Sequence, residues 1–249
     1  MNEKQMLGSQ TAKDGFANEK DIANKFNTWQ IDEDAQRWLV IMKYNLDEIE
    51  FVKAVVLHGY KADVNVQITI KLKTIIDIEN LSIKLVSNPK GFNQIDKRPV
   101  DHYNTKLNWN IPTDIINILK RFTGEIKPNI MHTRDSRRMF IDEFTKIEQD
   151  LLFGFIKQNK SMILNDTLRG RGNFTAEWML VAQKVNKNAR WVLKNINEVI
   201  NFYDGEIKIS AKGSIKIGNV LIQRKGGTPD PTSLQFKINP ALLFGQKYI

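Results

Sequence analysis

The stretch KADVNVQITIKLKTIIDIENLSIKLVSN, residues 61–88, holds two runs of alternating character. The first sets Val64, Val66, Ile68, Ile70 and Leu72 against Asn65, Gln67, Thr69 and Lys71. The second sets Leu81, Ile83 and Leu85 against Ser82 and Lys84. A side-chain period of two gives each run one apolar and one polar face, so the segment predicts an antiparallel hairpin with its turn near residues 74–76. Asp63 has the parity of the polar face in the first run, and Lys84 has it in the second. Pairing then puts Asp63 across from the neighbourhood of Lys84 to Val86, with Ser82 and Lys84 projecting from its face. Such a grouping fits a chemical site at one end of a sheet. It also fits an aspartate that caps a turn and a lysine that faces water.

Working outward, GFANEKDIANKFNTW (residues 15–29) has the helical stripe Phe16, Glu19, Ile22, Ala23, Phe26 and Trp29. Glu19 lies inside that stripe, where a carboxylate is costly unless it is paired or binds a cation, or unless it snorkels to water from the stripe's edge. If this helix packs on the polar face of the hairpin, Glu19 points at the spot occupied by Asp63 and Lys84. A second helix is predicted around DEDAQRWLVIMKYN, and a strand in KAVVLHG. Residues 112–122 and 141–158 have helical spacing, the latter through Phe144, Ile147, Leu151 and Phe155. HTRDSRR is a basic connector, and TLRGRGNFTAEWMLVAQK leads from a Gly-rich basic loop into a predicted helix. From about residue 206 the texture changes to short strands, EIKISA, SIKIGNVLIQRK and LQFKI. Interleaved helices and strands followed by strands predict an α/β sheet with a smaller β-rich part. No linker interrupts residues 1–249, so one compact unit is expected.

The composition narrows the chemistry. Lys and Arg number 37 against 28 acids, a formal charge of +9 that suits a polyanionic partner or a merely basic surface. With no cysteine, disulfides, thiol nucleophiles and Cys-ligated zinc are excluded. The three histidines, His58, His102 and His132, are far apart in sequence. The chain has neither a P-loop nor a G-x-G-x-x-G fingerprint, so nothing points to a nucleotide cofactor. No apolar run approaches a membrane span, and MNEKQMLGSQTAKDGF lacks the apolar core of a signal peptide, so a cytoplasmic protein is expected. What remains is carboxylate and lysine chemistry with a hard cation such as Mg²⁺. Two acids and a lysine suit phosphodiester hydrolysis, in which the acids hold the metal and the lysine orients the attacking water.

Asp63 followed by Ser82-Ile83-Lys84 resembles the PD-(D/E)xK nuclease motif. The wider segments TAKDGFANEKDIA, KLVSNPKGFNQIDK, LRGRGNFTAEWMLVAQK, ARWVLKNINEV and IQRKGG…LQFKI are similar, in order and over nearly the whole chain, to those of HinP-type restriction endonucleases. The resemblance implies an α/β PD-(D/E)xK nuclease core, a mixed β-sheet flanked by helices, with a β-rich C-terminal DNA-recognition region. Residues 1–125 would be mainly catalytic and residues 126–249 mainly recognition. It implies a type II enzyme that uses Mg²⁺ to cut both strands of duplex DNA at a short GC-rich palindrome, with GCGC expected, as a monomer or a two-fold dimer.

Carried over by position, Asp63 and Glu19 would be metal-binding acids, the carbonyl of Ile83 a further ligand, and Lys84 the catalytic lysine. The family has an acid, or in the HinP type a glutamine, where this chain has Ser82, and a hydroxyl is a poorer metal ligand. In GFNQIDK, Phe92 would wedge into a base step, with Asn93, Gln94 and Lys97 as polar contacts. Arg169, Arg171 and Asn173 in LRGRGN, Gln223, Arg224 and Lys225 in IQRKGG, and Gln235 and Lys237 in LQFKI complete the expected DNA contacts. Two rivals share these features: a DNA-binding protein on a decayed nuclease fold, and a repair-type nuclease with the same core.

Overall fold

The computed structural model describes residues 3–57, 65–129, 133–185, 188–225 and 232–245. These residues form a mixed α/β structure with two five-stranded sheets, and the chain divides into two compact units. The first comprises Met1–Asn93, Leu168–Ile200 and Asn239–Ile249; the second comprises Gln94–Thr167 and Asn201–Ile238. Among the described residues no helix is long and apolar enough to cross a membrane.

The first unit holds β1 (Ile49–Val56), β2 (Val66–Leu72), β3 (Ile76–Val86), β5 (Trp178–Val185) and β6 (Asn188–Asn195), in the order β1-β2-β3-β5-β6. The predicted hairpin is β2–β3, antiparallel from Val66↔Leu81 to Lys71↔Ile76. Its second strand starts earlier than the alternation suggested, so residues 76–80 are strand rather than connection. β3 then pairs with β5 in parallel, Leu81 with Trp178 through Val86 with Gln183.

Here one expectation fails, because WMLVAQK is a central strand and not a helix. Met179, Leu180, Val181 and Ala182 are all fully buried. A strand covered on both faces loses its alternation and becomes a continuous apolar run, which periodicity alone does not separate from a buried helix.

Helices α1 (Glu3–Asn27) and α2 (Glu33–Ile41) cover one face of this sheet. Asp32 caps α2, its carboxylate accepting from Ala35 N at 2.9 Å. Ile22 and Phe26 of α1 and Trp38 and Leu39 of α2 pack with Val66, Ile68, Ile70, Leu81 and Ile83. Each such side chain contributes roughly 1.5–3 kcal/mol on burial. The helix therefore covers the apolar face of the hairpin, not the polar face on which the sequence reading conditionally placed it. Asn27 closes the outer edge of β1, its amide donating to Ala54 O (3.1 Å) and its carbonyl accepting from Ala54 N (2.8 Å), which blunts an otherwise open edge.

The second sheet holds β4 (Asn93–Pro99), β7 (Ile207–Ile209), β8 (Ile215–Ile217), β9 (Val220–Arg224) and β10 (Ser233–Ile238), in the order β4-β10-β9-β8-β7. Alternation decides its faces: Ile215, Ile217, Val220, Ile222, Leu234, Phe236 and Ile238 are buried on the inner face. They meet α3 (Val100–Thr105), α4 (Thr113–Thr123) and α5 (Lys146–Leu168) around Tyr103, Trp109, Ile163 and Leu152. Helix α4 ends at Gly124 with φ 81°, where an added Cβ would lie 2.3 Å from Arg137 O, so glycine is required there. The predicted stripe of residues 141–158 is displaced. Ile147 and Leu151 are 73% and 48% exposed, while Leu152, Ile156, Ile163 and Leu164 form the buried side. Helix α6 (Ile196–Tyr203) follows β6 directly.

Candidate functional site

The polar face of the hairpin is not simply turned to solvent. Asn80 is 7% exposed and Ser82 1%, and Lys84 is half-buried. Gln67 donates to Asn80 Oδ1 at 3.0 Å, and Asn80 N donates to the Glu177 carboxylate at 2.6 Å. Burial holds the Glu177 carboxyl above its ordinary range.

Just before β2, Asn65 pairs through both its backbone and its side chain. Asn65 N donates to Leu81 O (2.8 Å), and Asn65 O accepts from Leu57 N (3.0 Å). Its carbonyl Oδ1 accepts from Ile83 N (2.8 Å), and its amide Nδ2 donates to Glu19 Oε1 (2.9 Å). All four polar groups of Asn65 are thus engaged, tying α1, the end of β1 and β3 together. Glu19 reaches the hairpin at this rim, because α1 lies over the apolar face.

In the sequence Asn65 is only one of the polar residues of the first run. Its position two residues after Asp63 was the available signal. Asn65→Ala is expected to leave the Ile83 N–H and the Glu19 carboxylate short of a partner each. The loss should be about 1–3 kcal/mol of stability, read as a lower urea midpoint at unchanged slope.

Asp63, the keystone of the sequence reading, lies outside the described residues, as do His58 and His132. Among the described residues no group of three or more His, Cys, Asp or Glu forms a metal cluster. The donor chemistry nevertheless fits a hard divalent cation. Glu19 offers a carboxylate beside Ile83, whose N–H is held by Asn65 at 2.8 Å.

The expected DNA contacts fall into two groups. In the first unit Phe92 is 50% exposed on a turn in which Gly91 N donates to Asn88 O at 2.8 Å. Asn93 donates to Leu85 O at 3.0 Å. Arg169 donates to Asn197 Oδ1, Arg171 is exposed before the turn Gly172–Phe174, and the side chain of Asn173 falls outside the described set.

In the second unit Gln223 Nε2 donates to Gln235 Oε1 (3.3 Å), and Gln235 Nε2 donates to Gln94 Oε1 (2.7 Å). This amide chain crosses β9, β10 and β4. Lys237 shares the parity of Gln235, and burial pulls its ammonium below the ordinary range. Lys97 is exposed on β4, and Lys225 N donates to Ser233 O at 2.9 Å. Arg224 does not share the outer face. It is 7% exposed on the inner one, with Nη1 3.9 Å from the Asp135 carboxylate. Asp135 also receives Arg137 Nε at 2.9 Å and lies near Arg138, and this company holds its carboxyl below the ordinary range.

A helix-backed mixed sheet that gathers polar groups at one strand end, together with a second sheet bearing an amide-lined face, is the fold of a restriction endonuclease. It is similar to the crystal structure of restriction endonuclease MspI in complex with its cognate DNA, with TM-score 0.66 and 15% identity over 95% of this chain and 93% of that one. The chain belongs to the R.HinP1I restriction endonuclease family, whose profile matches residues 42–244. No curated protein matches the chain. The enzyme is accordingly a type II site-specific deoxyribonuclease.

Proposed function

We propose that this endonuclease makes Mg²⁺-dependent double-strand cuts in cytoplasmic duplex DNA at a short GC-rich palindrome, with GCGC the expected site. The observation that carries the catalytic part is the Asn65 clamp. It fixes Glu19 beside the Ile83 backbone, with Asp63 two residues before Asn65 and Lys84 one after Ile83. Asp63, Glu19 and the Ile83 carbonyl would hold the cation, which when bound neutralises the phosphate and acidifies a water. Ser82 would add only a buried hydroxyl to that set.

Lys84 Nζ orients the attacking water and offsets charge that builds on the phosphoryl oxygens. Attack in line on phosphorus breaks the bond to the 3′ oxygen and leaves a 5′-phosphate and a 3′-hydroxyl. Gln94, Gln223, Gln235 and Lys237 are the proposed groove readers, since amides and ammonium groups match base edges. Phe92 is the proposed wedge, with Asn93 beside it. Lys97, Arg169, Arg171, Asn173 and Lys225 are proposed backbone contacts. Arg224 is proposed to hold its strand against Asp135.

A plasmid digest tests the reading. With Mg²⁺, discrete fragments whose sequenced ends share one palindrome are expected, and EDTA should abolish them. Bound but uncut DNA, or cuts confined to lesions and branches, would replace this reading with a binding protein or a repair nuclease.

A further inference from the structure

The outer face of the second sheet carries a second cross-strand row beside the amide chain. Lys208 stands opposite Lys216, Lys216 opposite Leu221, and Leu221 opposite Lys237. With strands about 4.8 Å apart, the row spans roughly 14 Å across β7, β8, β9 and β10. The pairing of Lys208 with Lys216 puts two like charges directly across from one another, an arrangement that destabilises a sheet. Glu206, 3.9 Å from Lys208 and exposed, relieves it little. Among the described residues no carboxylate lies within ion-pairing distance of Lys216 or Lys237. Lys237 is also partly desolvated. Three ammonium groups in line, with only the exposed Glu206 near one of them, suit an anion laid across the sheet.

We propose that Lys208 and Lys216 form a phosphate-binding extension of the DNA face. They would grip the sugar-phosphate backbone at one wall of the groove whose base edges meet Gln223, Gln235 and Lys237. The scale fits. Lys216 lies two strands from Lys237, roughly 10 Å, and a major groove is about 12 Å wide. When the amides enter the groove, the ammonium of Lys216 arrives at its rim, and that of Lys208 one strand further out. Such contacts add affinity and orientation without reading sequence. The inference rests on the proposal that Gln235 and Lys237 face DNA.

The test is the double variant Lys208→Gln with Lys216→Gln, which keeps a polar side chain only slightly shorter and removes the charge. Binding is measured in Ca²⁺ against a cognate and a scrambled duplex over a range of salt. The expected result is a plot of log K against log salt shallower by about 2, at roughly 0.9 per lost contact. Affinity should fall by equal factors on both duplexes, and the melting temperature should hold or rise as the like-charge pair is removed. An unchanged slope overturns the proposal. Gln235→Ala separates it from the reading on which it rests. If that variant loses cognate preference while the lysine variant keeps its slope, only the extension is wrong. If neither variant alters binding, the DNA face itself is misplaced.

Discussion

Asp63→Ala is expected to bind its DNA site in Ca²⁺ about as well as the parent enzyme and to cut it more than about 10³-fold more slowly in Mg²⁺. A metal-supplied stabilisation of several kcal/mol is at stake, and each 1.36 kcal/mol is about a factor of ten in rate. Glu19 alone among the described side chains leaves the proposed cation with one carboxylate, so the second acid carries much of its affinity. Lys84→Ala, which removes the proposed water-orienting group, is expected to cost about 10²–10⁴-fold in rate with metal and DNA binding kept. Gel shifts in Ca²⁺ and single-turnover cleavage in Mg²⁺ separate the two kinds of loss. Cleavage by Asp63→Ala at the parent rate would remove it from the site.

The second large effect concerns stability. Phe236 is 1% exposed, and its ring lies 5.8 Å from that of Tyr103 and 6.1 Å from that of Trp109. The neighbours are themselves anchored: Tyr103 donates to Asp96 at 2.7 Å and Trp109 to Asp166 at 2.6 Å. Anchored rings collapse poorly into a cavity, so Phe236→Ala is expected at the upper end of the usual range, about 3–5 kcal/mol. Urea unfolding followed by tryptophan fluorescence measures it. Gln235 and Lys237 flank Phe236 on the opposite face, so DNA affinity should also fall where the variant is still folded. A loss under about 1 kcal/mol would mean that the aromatic cluster does not hold this sheet.

Much of this was legible in the residues, and for identifiable reasons. The hairpin could be read because one of its faces is apolar, and the β-rich end because SIKIGNVLIQRK alternates so regularly. That same alternation puts Arg224 with Val220 and Ile222 on the inner face. That parity sets it apart from Gln223 and Gln235, which share the outer face. Strand β5 was not legible as a strand, since burial on both sides erases the pattern that would identify it. Nor was the role of Asn65, because a side chain that bonds a neighbouring strand's backbone and a helix carboxylate has no periodic signature. The stripe on α5 was misplaced by a turn's fraction, since exposed Ile147 and Leu151 look no different in sequence from the buried Leu152 and Ile156.

The parallel pairing of β3 with β5 joins residues 97 positions apart, as in the bond from Asn80 to Glu177. At ribosomal rates of about 5–20 residues per second, the strand bearing Lys84 waits on the order of 5–20 s for its neighbour to be made. Through that interval the growing chain shows a bare, greasy rim, and a fragment that stops short of Trp178 shows it permanently. Nascent polypeptide of this enzyme should therefore lean on chaperones until Trp178–Val185 has emerged, and amino-terminal pieces expressed alone should clump rather than fold.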